Sequence, residues 1–256
     1  MKGKLYIVGI GPGDEKYMVP RARECIEESQ VIIGYETYVA LIEHLIKGKE
    51  VYTYPMTQEV DRANQAIKFA EEGKIVSLVS SGDPGIYGMA GLVYEILAEK
   101  NWNGDPYVEV VPGVSALNAC SALIGSPLMT DFAVVSMSDL LVPWDMIVKR
   151  VKAAAEGDYV IVIYNPQSKK RVHQLRDTRD LLLKYRSKDT PVAIVKAAYR
   201  DKQEIVLTDL EHMLEYQDKL GMLSTVIIGN SSTFVYNGLM INPRGYKSKY
   251  QIVKEA

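Results

Sequence analysis

Cysteine is nearly missing from the 256-residue chain, with Cys25 and Cys120 the only two. Two thiols in apolar stretches cannot build a disulfide framework or a Cys-ligated cluster, so a cytoplasmic, reducing location is expected. Histidine is almost as scarce: His44, His173 and His212 lie far apart, and each falls in a stretch that reads as helix, where a surface position is the expectation. Without a Cys or His group at ligand spacing, no protein-bound metal is expected. Net charge is small as well. Lys and Arg total 30 against 32 Asp and Glu, a formal charge of -2, which gives no global field to recruit nucleic acid or an anionic membrane. No uncharged apolar run reaches membrane-spanning length, and the N-terminus turns Gly-rich too early for a signal peptide. Internal repeats and low-complexity tracts are missing too.

What the chain does contain is alternation. Short β-rich runs at 4–9, 31–33, 51–54, 75–79 and 107–111 are separated by helical patterns at 17–29, 37–46 and 57–72 and by a helix beginning near Met89. In that last helix Met89, Leu92, Val93, Ile96 and Leu97 fall at amphipathic spacing. Strands alternating with helices predict α/β architecture with a largely parallel sheet. A Gly-, Ser- and Ala-rich stretch at 112–127 carries few charges and reads as a buried helix over 115–124, which also marks a domain boundary. Beyond it, strands are expected at 132–136, 159–164, 191–197, 204–207, 225–228 and 239–241, with helices at 145–156, 170–186 and 209–219. The late adjacent strands predict a mixed sheet. The expected organisation is therefore two α/β domains, 1–114 and 115–243, followed by a loosely ordered polar tail, 244–256.

Three Gly-containing turns end predicted strands: Gly9-Ile-Gly-Pro-Gly-Asp14, Ser80-Ser-Gly-Asp-Pro-Gly-Ile-Tyr-Gly88 and Pro112-Gly-Val-Ser-Ala116. The first invites a dinucleotide-binding reading, in which glycines let backbone approach phosphate. The fit is poor. Asp14 stands where a third small residue is wanted, Pro12 removes an N–H donor, and no acidic residue ends the second strand. Each turn alone reads equally well as an ordinary strand-to-helix connection. Three of them at the carboxyl ends of strands put one ligand within reach of all.

Together the three turns resemble the hallmarks of the tetrapyrrole (corrin/porphyrin) methylase family, a GxGPGD loop, a GDPxxYG loop and a PGVSA segment, in that order. The likeness extends from Leu5 to about Ile241. Residues 31–38, 131–144 with Ser136-Met-Ser-Asp-Leu-Leu-Val-Pro-Trp144, and Ile163-Tyr-Asn-Pro166 are similar to the branch that methylates C17 of precorrin-3B, or of cobalt-precorrin-3 or cobalt-factor III in the anaerobic route. The resemblance implies two α/β domains with S-adenosyl-L-methionine in the cleft between them, C17 methylation with ring contraction to the precorrin-4 level in cobalamin biosynthesis, and a homodimer. Carried over by position, donor contacts fall on Pro12, Gly82, Asp83, Ile86, Tyr87, Ser115 and Ala116, then on Tyr164, Asn165, Ala197, Ala198 and Thr225. Small residues suit a flat adenine, although without the resemblance Ala197 and Ala198 read as simple packing.

Methyl transfer from a sulfonium needs placement more than covalent help, so no nucleophilic triad is required and any cobalt would arrive in the substrate. The acetate and propionate arms of a precorrin call for Arg or Lys. Candidates are Arg21, Arg62 and Arg171, with Lys169, Lys170 and Arg200 behind them. Asp14, at the loop edge, is a candidate for orienting the macrocycle or taking up a proton, against a plain helix-capping role. Ser138 and Asp139 are candidates for substrate recognition or ring contraction. The rival readings are a C-11 or C-20 methylase, a nicotinamide-dependent oxidoreductase, and a non-catalytic tetrapyrrole binder.

Overall fold

A computed structural model describes residues 2–168 and 171–252, and these divide into two compact units, Met1–Ala116 and Leu117–Ala256. In the first unit, β1 (Lys4–Gly9) buries side chains on both faces, as a strand inside a parallel sheet must. Alternation sends Leu5 and Ile7 to one core and Tyr6 and Val8 to another. The chain then forms α1 (Pro20–Glu28), β2 (Val31–Tyr35), α2 (Glu36–Ala40), β3 (Glu50–Tyr54), α3 (Glu59–Glu71), β4 (Ile75–Ser80), α4 (Ala90–Glu99) and β5 (Tyr107–Val111). The five strands are all parallel, in the order β3-β2-β4-β1-β5.

Helices α3 and α4 cover one face of this sheet and α1 and α2 the other. Ala63, Ala66, Ile67 and Ala70 recur at helical spacing along α3 and are fully or almost fully buried; Ile67 alone contributes about 1.5–3 kcal/mol by leaving water. The helix expected over 37–46 is shorter. After α2 the N–H groups of Leu41 and Ile42 bond three residues back, to Tyr38 and Val39, and a 3-10 turn follows at Glu43–Leu45. Val39, Ile42 and Ile46 still reach the core, so the apolar spacing is satisfied without a continuous α-helix.

In the second unit α5 (Ala116–Ile124) leads into β6 (Gly125–Ser126), β7 (Phe132–Ser136), α6 (Trp144–Glu156), β8 (Val160–Tyr164), α7 (Gln174–Leu182), β9 (Pro191–Lys196), β10 (Glu204–Asp209), β11 (Ser224–Ile228), β12 (Phe234–Tyr236), β13 (Leu239–Ile241) and α8 (Tyr246–Lys249). The main sheet runs β10-β9-β11-β8-β7 and is mixed: β7 and β8 are parallel, the other pairs antiparallel. Its core is built by α6, α7 and the segment after β10. A small sheet, β12-β13-β6, stands apart.

Three expectations are corrected here. The helix expected over 209–219 is a 3-10 turn at Met213–Lys219, because Asp209 ends β10, its carboxylate takes the His212 N–H at 2.9 Å, and Tyr216 breaks the helical dihedrals. The helix over 170–186 shrinks to α7. The segment past Arg244, expected to be loosely ordered, carries α8. No helix among the described residues is long and apolar enough to cross a membrane.

Candidate functional site

The three glycine turns meet within the first unit because β1, β4 and β5 are neighbours in level register. Gly9 pairs with Ser80 and Val8 with Val111, so the chain leaves all three strands at one height. Gly11 and Gly82, both at positive φ, exchange backbone hydrogen bonds of 3.2 and 2.7 Å. A Cβ on Gly113 would lie 2.1 Å from the Gly82 carbonyl oxygen, and one on Gly9 would lie 2.6 Å from the same atom. Only glycine permits this approach. Asp83 then fastens the stack: one carboxylate oxygen accepts the Gly85 N–H at 2.7 Å and the other accepts the Gly113 N–H at 3.0 Å.

This stack gathers the expected donor positions Pro12, Gly82, Asp83, Ile86, Tyr87, Ser115 and Ala116 at the carboxyl edge of one parallel sheet, where ligands bind in open α/β folds. Pro12, Gly82 and Ser115 are buried, whereas Tyr87 is 57% exposed and held at φ 54°. Asp14 precedes the 3-10 turn at Glu15–Tyr17 and its carboxylate accepts the Lys16 N–H at 2.9 Å. Its capping role is thus geometrically filled.

In the second unit the expected positions Tyr164 and Thr225 on strands β8 and β11, and Asn165, Ala197 and Ala198 just past the ends of β8 and β9, fall at one edge of three adjacent strands. Thr225 pairs with Tyr164 on one side and Val195 on the other. Asn165 and Ala197 take positive φ values of 51°, as Tyr87 does in the first unit, an uncommon conformation that recurs at ligand sites. The Tyr164 hydroxyl accepts the Leu117 N–H at 2.8 Å at the start of α5.

Beside this edge runs a polar network. The Ser136 hydroxyl accepts from Asn165 Nδ2 at 3.0 Å and from the Ser138 N–H at 3.2 Å, and Arg171 Nη1 donates to Ser138 Oγ at 3.4 Å. Asp139 accepts from Gln174 Nε2 at 2.9 Å, and Gln174 is 2% exposed. The candidates Ser138, Asp139, Asn165 and Arg171 thus come together. Ser136 enters the sequence reading only as the start of the branch-like segment, and Gln174 not at all, since a serine ending a strand and a glutamine in a helix carry no distinguishing pattern of their own.

The arginines divide. Arg21 does not come to the loops. It forks onto Glu109 in β5 at 2.9 and 2.8 Å and also contacts Glu24, so its charge is already neutralised. That pairing raises the Arg21 pKa and holds the Glu109 carboxyl below its ordinary value. Arg62 is 5% exposed in α3, at the carboxyl edge. Arg200 lies in the turn after β9, and Lys169 and Lys170 lie outside the described residues. The histidines sit in or next to turns rather than along helices: His44, in a 3-10 turn, pairs with Glu15, His173 before α7 with Asp177, and His212 after β10 with Asp209. Among the described residues no group of three or more His, Cys, Asp or Glu could hold a metal ion.

The family model for tetrapyrrole (corrin/porphyrin) methylases matches residues 4–214. The chain is 53% identical over 254 residues to the cobalt-factor III methyltransferase of Priestia megaterium, covering 98% of this chain and 47% of that protein. It is 47% identical over 253 residues to the probable cobalt-factor III C(17)-methyltransferase of Methanocaldococcus jannaschii, covering 97% of this chain and all of that one. The chain therefore spans about half the length of some curated relatives and the full length of others. Among solved structures, the methyltransferase CobJ superposes with a TM-score of 0.88 at 32% identity, over 94% of this chain and 100% of that one. A uroporphyrin-III C-methyl transferase from Thermus thermophilus, complexed with S-adenyl homocysteine, gives 0.65 at 25% identity over 89% of this chain and 97% of that one. With the three stacked glycine turns and a family match over residues 4–214, the chain belongs to the tetrapyrrole (corrin/porphyrin) methylases.

Proposed function

We propose that the protein is an S-adenosyl-L-methionine-dependent methyltransferase of cobalamin biosynthesis, methylating C17 of cobalt-factor III or precorrin-3B with contraction of the ring to the precorrin-4 level. The observation that carries this reading is the packing of Gly9, Gly82 and Gly113 against one another, which brings three turns to one edge in direct backbone contact. Such an edge suits a ligand recognised through backbone and shape. The small side chains Ala116, Ala197 and Ala198, with the positive-φ turns at Tyr87, Asn165 and Ala197, fit an adenosine-bearing donor in the same way. When bound, the donor supplies an electrophilic methyl group on sulfur.

The chain's own residues hold and orient. Asp83 keeps the second turn on the third by accepting the Gly113 N–H and braces its own turn by accepting the Gly85 N–H, so the donor-facing backbone is preorganised before any ligand arrives. Ser138 and Asp139, tied to Arg171 and Gln174, are proposed to meet the macrocycle, and Asp14 to stand at its entry. The same reading takes the protein as a cytoplasmic homodimer. The free thiols Cys25 and Cys120 support the compartment, and the exposed row Phe234, Val235, Tyr236 and Leu239 supports association, which light scattering would check.

The decisive test incubates the protein with S-adenosyl-L-methionine and cobalt-factor III and reads product mass and ring size. A gain of one methyl group with a contracted ring is expected; unchanged tetrapyrrole would overturn the reading.

A further inference from the structure

Two arginines are almost fully buried among the described residues, and they differ in how they are satisfied. Arg186 is 8% exposed and donates from Nη1 and Nη2 to the carbonyls of Gly229 and Tyr159, leaving only its Nε without a partner. Arg62 is 5% exposed, yet its Nη2 reaches only the sulfur of Met89 at 3.2 Å, and its Nε and Nη1 have no partner. A thioether is a weak acceptor. Glu59 on its own helix and the phenols of Tyr38 and Tyr54 act on Arg62 electrostatically, Asp61 precedes it in the chain, and none of them forms an ion pair with it. A guanidinium stays ionised, and burying it without a counter-charge is costly. Water would supply acceptors but not the missing negative charge.

Position tells which ligand could supply it. Arg62 lies in the opening turns of α3, just past the end of β3, and Met89 caps α4 one residue beyond Gly88 of the second glycine turn. Strand order places β3, β2 and β4 side by side, and β4 shares the other half of the sheet with β1 and β5. Arg62 therefore occupies one half of the carboxyl edge while the stacked turns occupy the other, with β4 common to both. Two helix N-termini add their positive ends on the Arg62 side.

We propose that the Arg62 guanidinium anchors one peripheral carboxylate, an acetate or propionate arm, of the tetrapyrrole substrate, which displaces the Met89 thioether. This rests on the substrate reading above. With the thioether displaced, a carboxylate would fork onto Nη2 and one of its idle neighbours, Nε or Nη1, as a charge-assisted pair, and a methionine repacks more readily than any branched side chain.

The test compares wild type with Arg62→Met and Arg62→Lys. Ligand-free Arg62→Met should melt at the same or a higher temperature, since the change removes an uncompensated buried charge. Its affinity for cobalt-factor III should fall by about 10- to 100-fold while its affinity for S-adenosylhomocysteine holds, with Arg62→Lys recovering part of the loss. Methyl-esterifying the substrate arms one at a time should reveal one ester that weakens binding to wild type by a similar factor and causes no further loss in Arg62→Met. A clear drop in the melting temperature of Arg62→Met, or unchanged tetrapyrrole affinity in that variant, would overturn the inference alone. A wild type that binds no tetrapyrrole would overturn the functional reading and the inference with it.

Discussion

Gly113 and Gly91 show how one residue type carries opposite meanings. At Gly113 an added methyl would overlap the Gly82 carbonyl oxygen at 2.1 Å, and the clash is with backbone that Asp83 holds in place. Gly113→Ala should cost about 1–3 kcal/mol of stability and sharply weaken S-adenosylhomocysteine binding, as calorimetry would show. In α4, by contrast, a Cβ on Gly91 meets nothing within 4 Å, so Gly91→Ala should stabilise by up to about 1 kcal/mol and leave binding unchanged. The two thiols give a second residue-scale expectation. Burial pushes both Cys25 and Cys120 up to about 11, leaving little thiolate near neutral pH. Native protein should therefore react slowly with a thiol reagent at pH 8, and both thiols should react at once in denaturant; fast labelling of folded protein would contradict the assigned burial.

Between elements, the fork from Arg21 to Glu109 ties α1 to the edge strand β5, a contact spanning 88 positions in the chain. The hydrogen bond from Arg21 lowers the Glu109 pKa from 4.5, so its contribution is complete above that value and fades as pH falls through the lowered one. Glu109→Gln should accordingly lower the melting temperature at neutral pH, and the gap from wild type should close as the solution is taken well below pH 4.5; a gap that stays constant would show the pair adds nothing pH-dependent. This contact also shows where sequence reading stops. Helix α3 was legible because Ala63, Ala66, Ile67 and Ala70 repeat at helical spacing, and the three glycine turns were legible because strand, glycine and helix follow one another locally. Arg21 was misplaced because its partner is distant in sequence. Ser136 and Gln174 were missed as site residues for the same reason, since each gains its meaning from Asn165 or Asp139 across the fold. The 37–46 stretch has the right apolar spacing for a helix, but two turns with bonds three residues back satisfy that spacing equally well.

At the scale of the whole molecule, each unit has its own hydrophobic core and its own sheet, parallel in one and mixed in the other. Their sheets gather expected donor positions by different means: level strand ends and stacked glycines in the first unit, neighbouring strand ends with positive-φ turns in the second. The first glycine turn resembles a dinucleotide cradle only in its spacing. Gly11 spends its N–H on the Gly82 carbonyl, Pro12 has none to offer, and the Asp14 carboxylate accepts the Lys16 N–H, so the turn offers phosphate few donors and adds a negative charge. A donor that binds the folded state alone should stabilise the whole chain by mass action. S-adenosylhomocysteine at about 100 times its dissociation constant should add about 2.7 kcal/mol, or roughly 5–10 °C of melting temperature for a chain of this size. NADH at the same concentration should leave the transition where it was. A shift with NADH and none with S-adenosylhomocysteine would mean that the stacked turns hold phosphate after all.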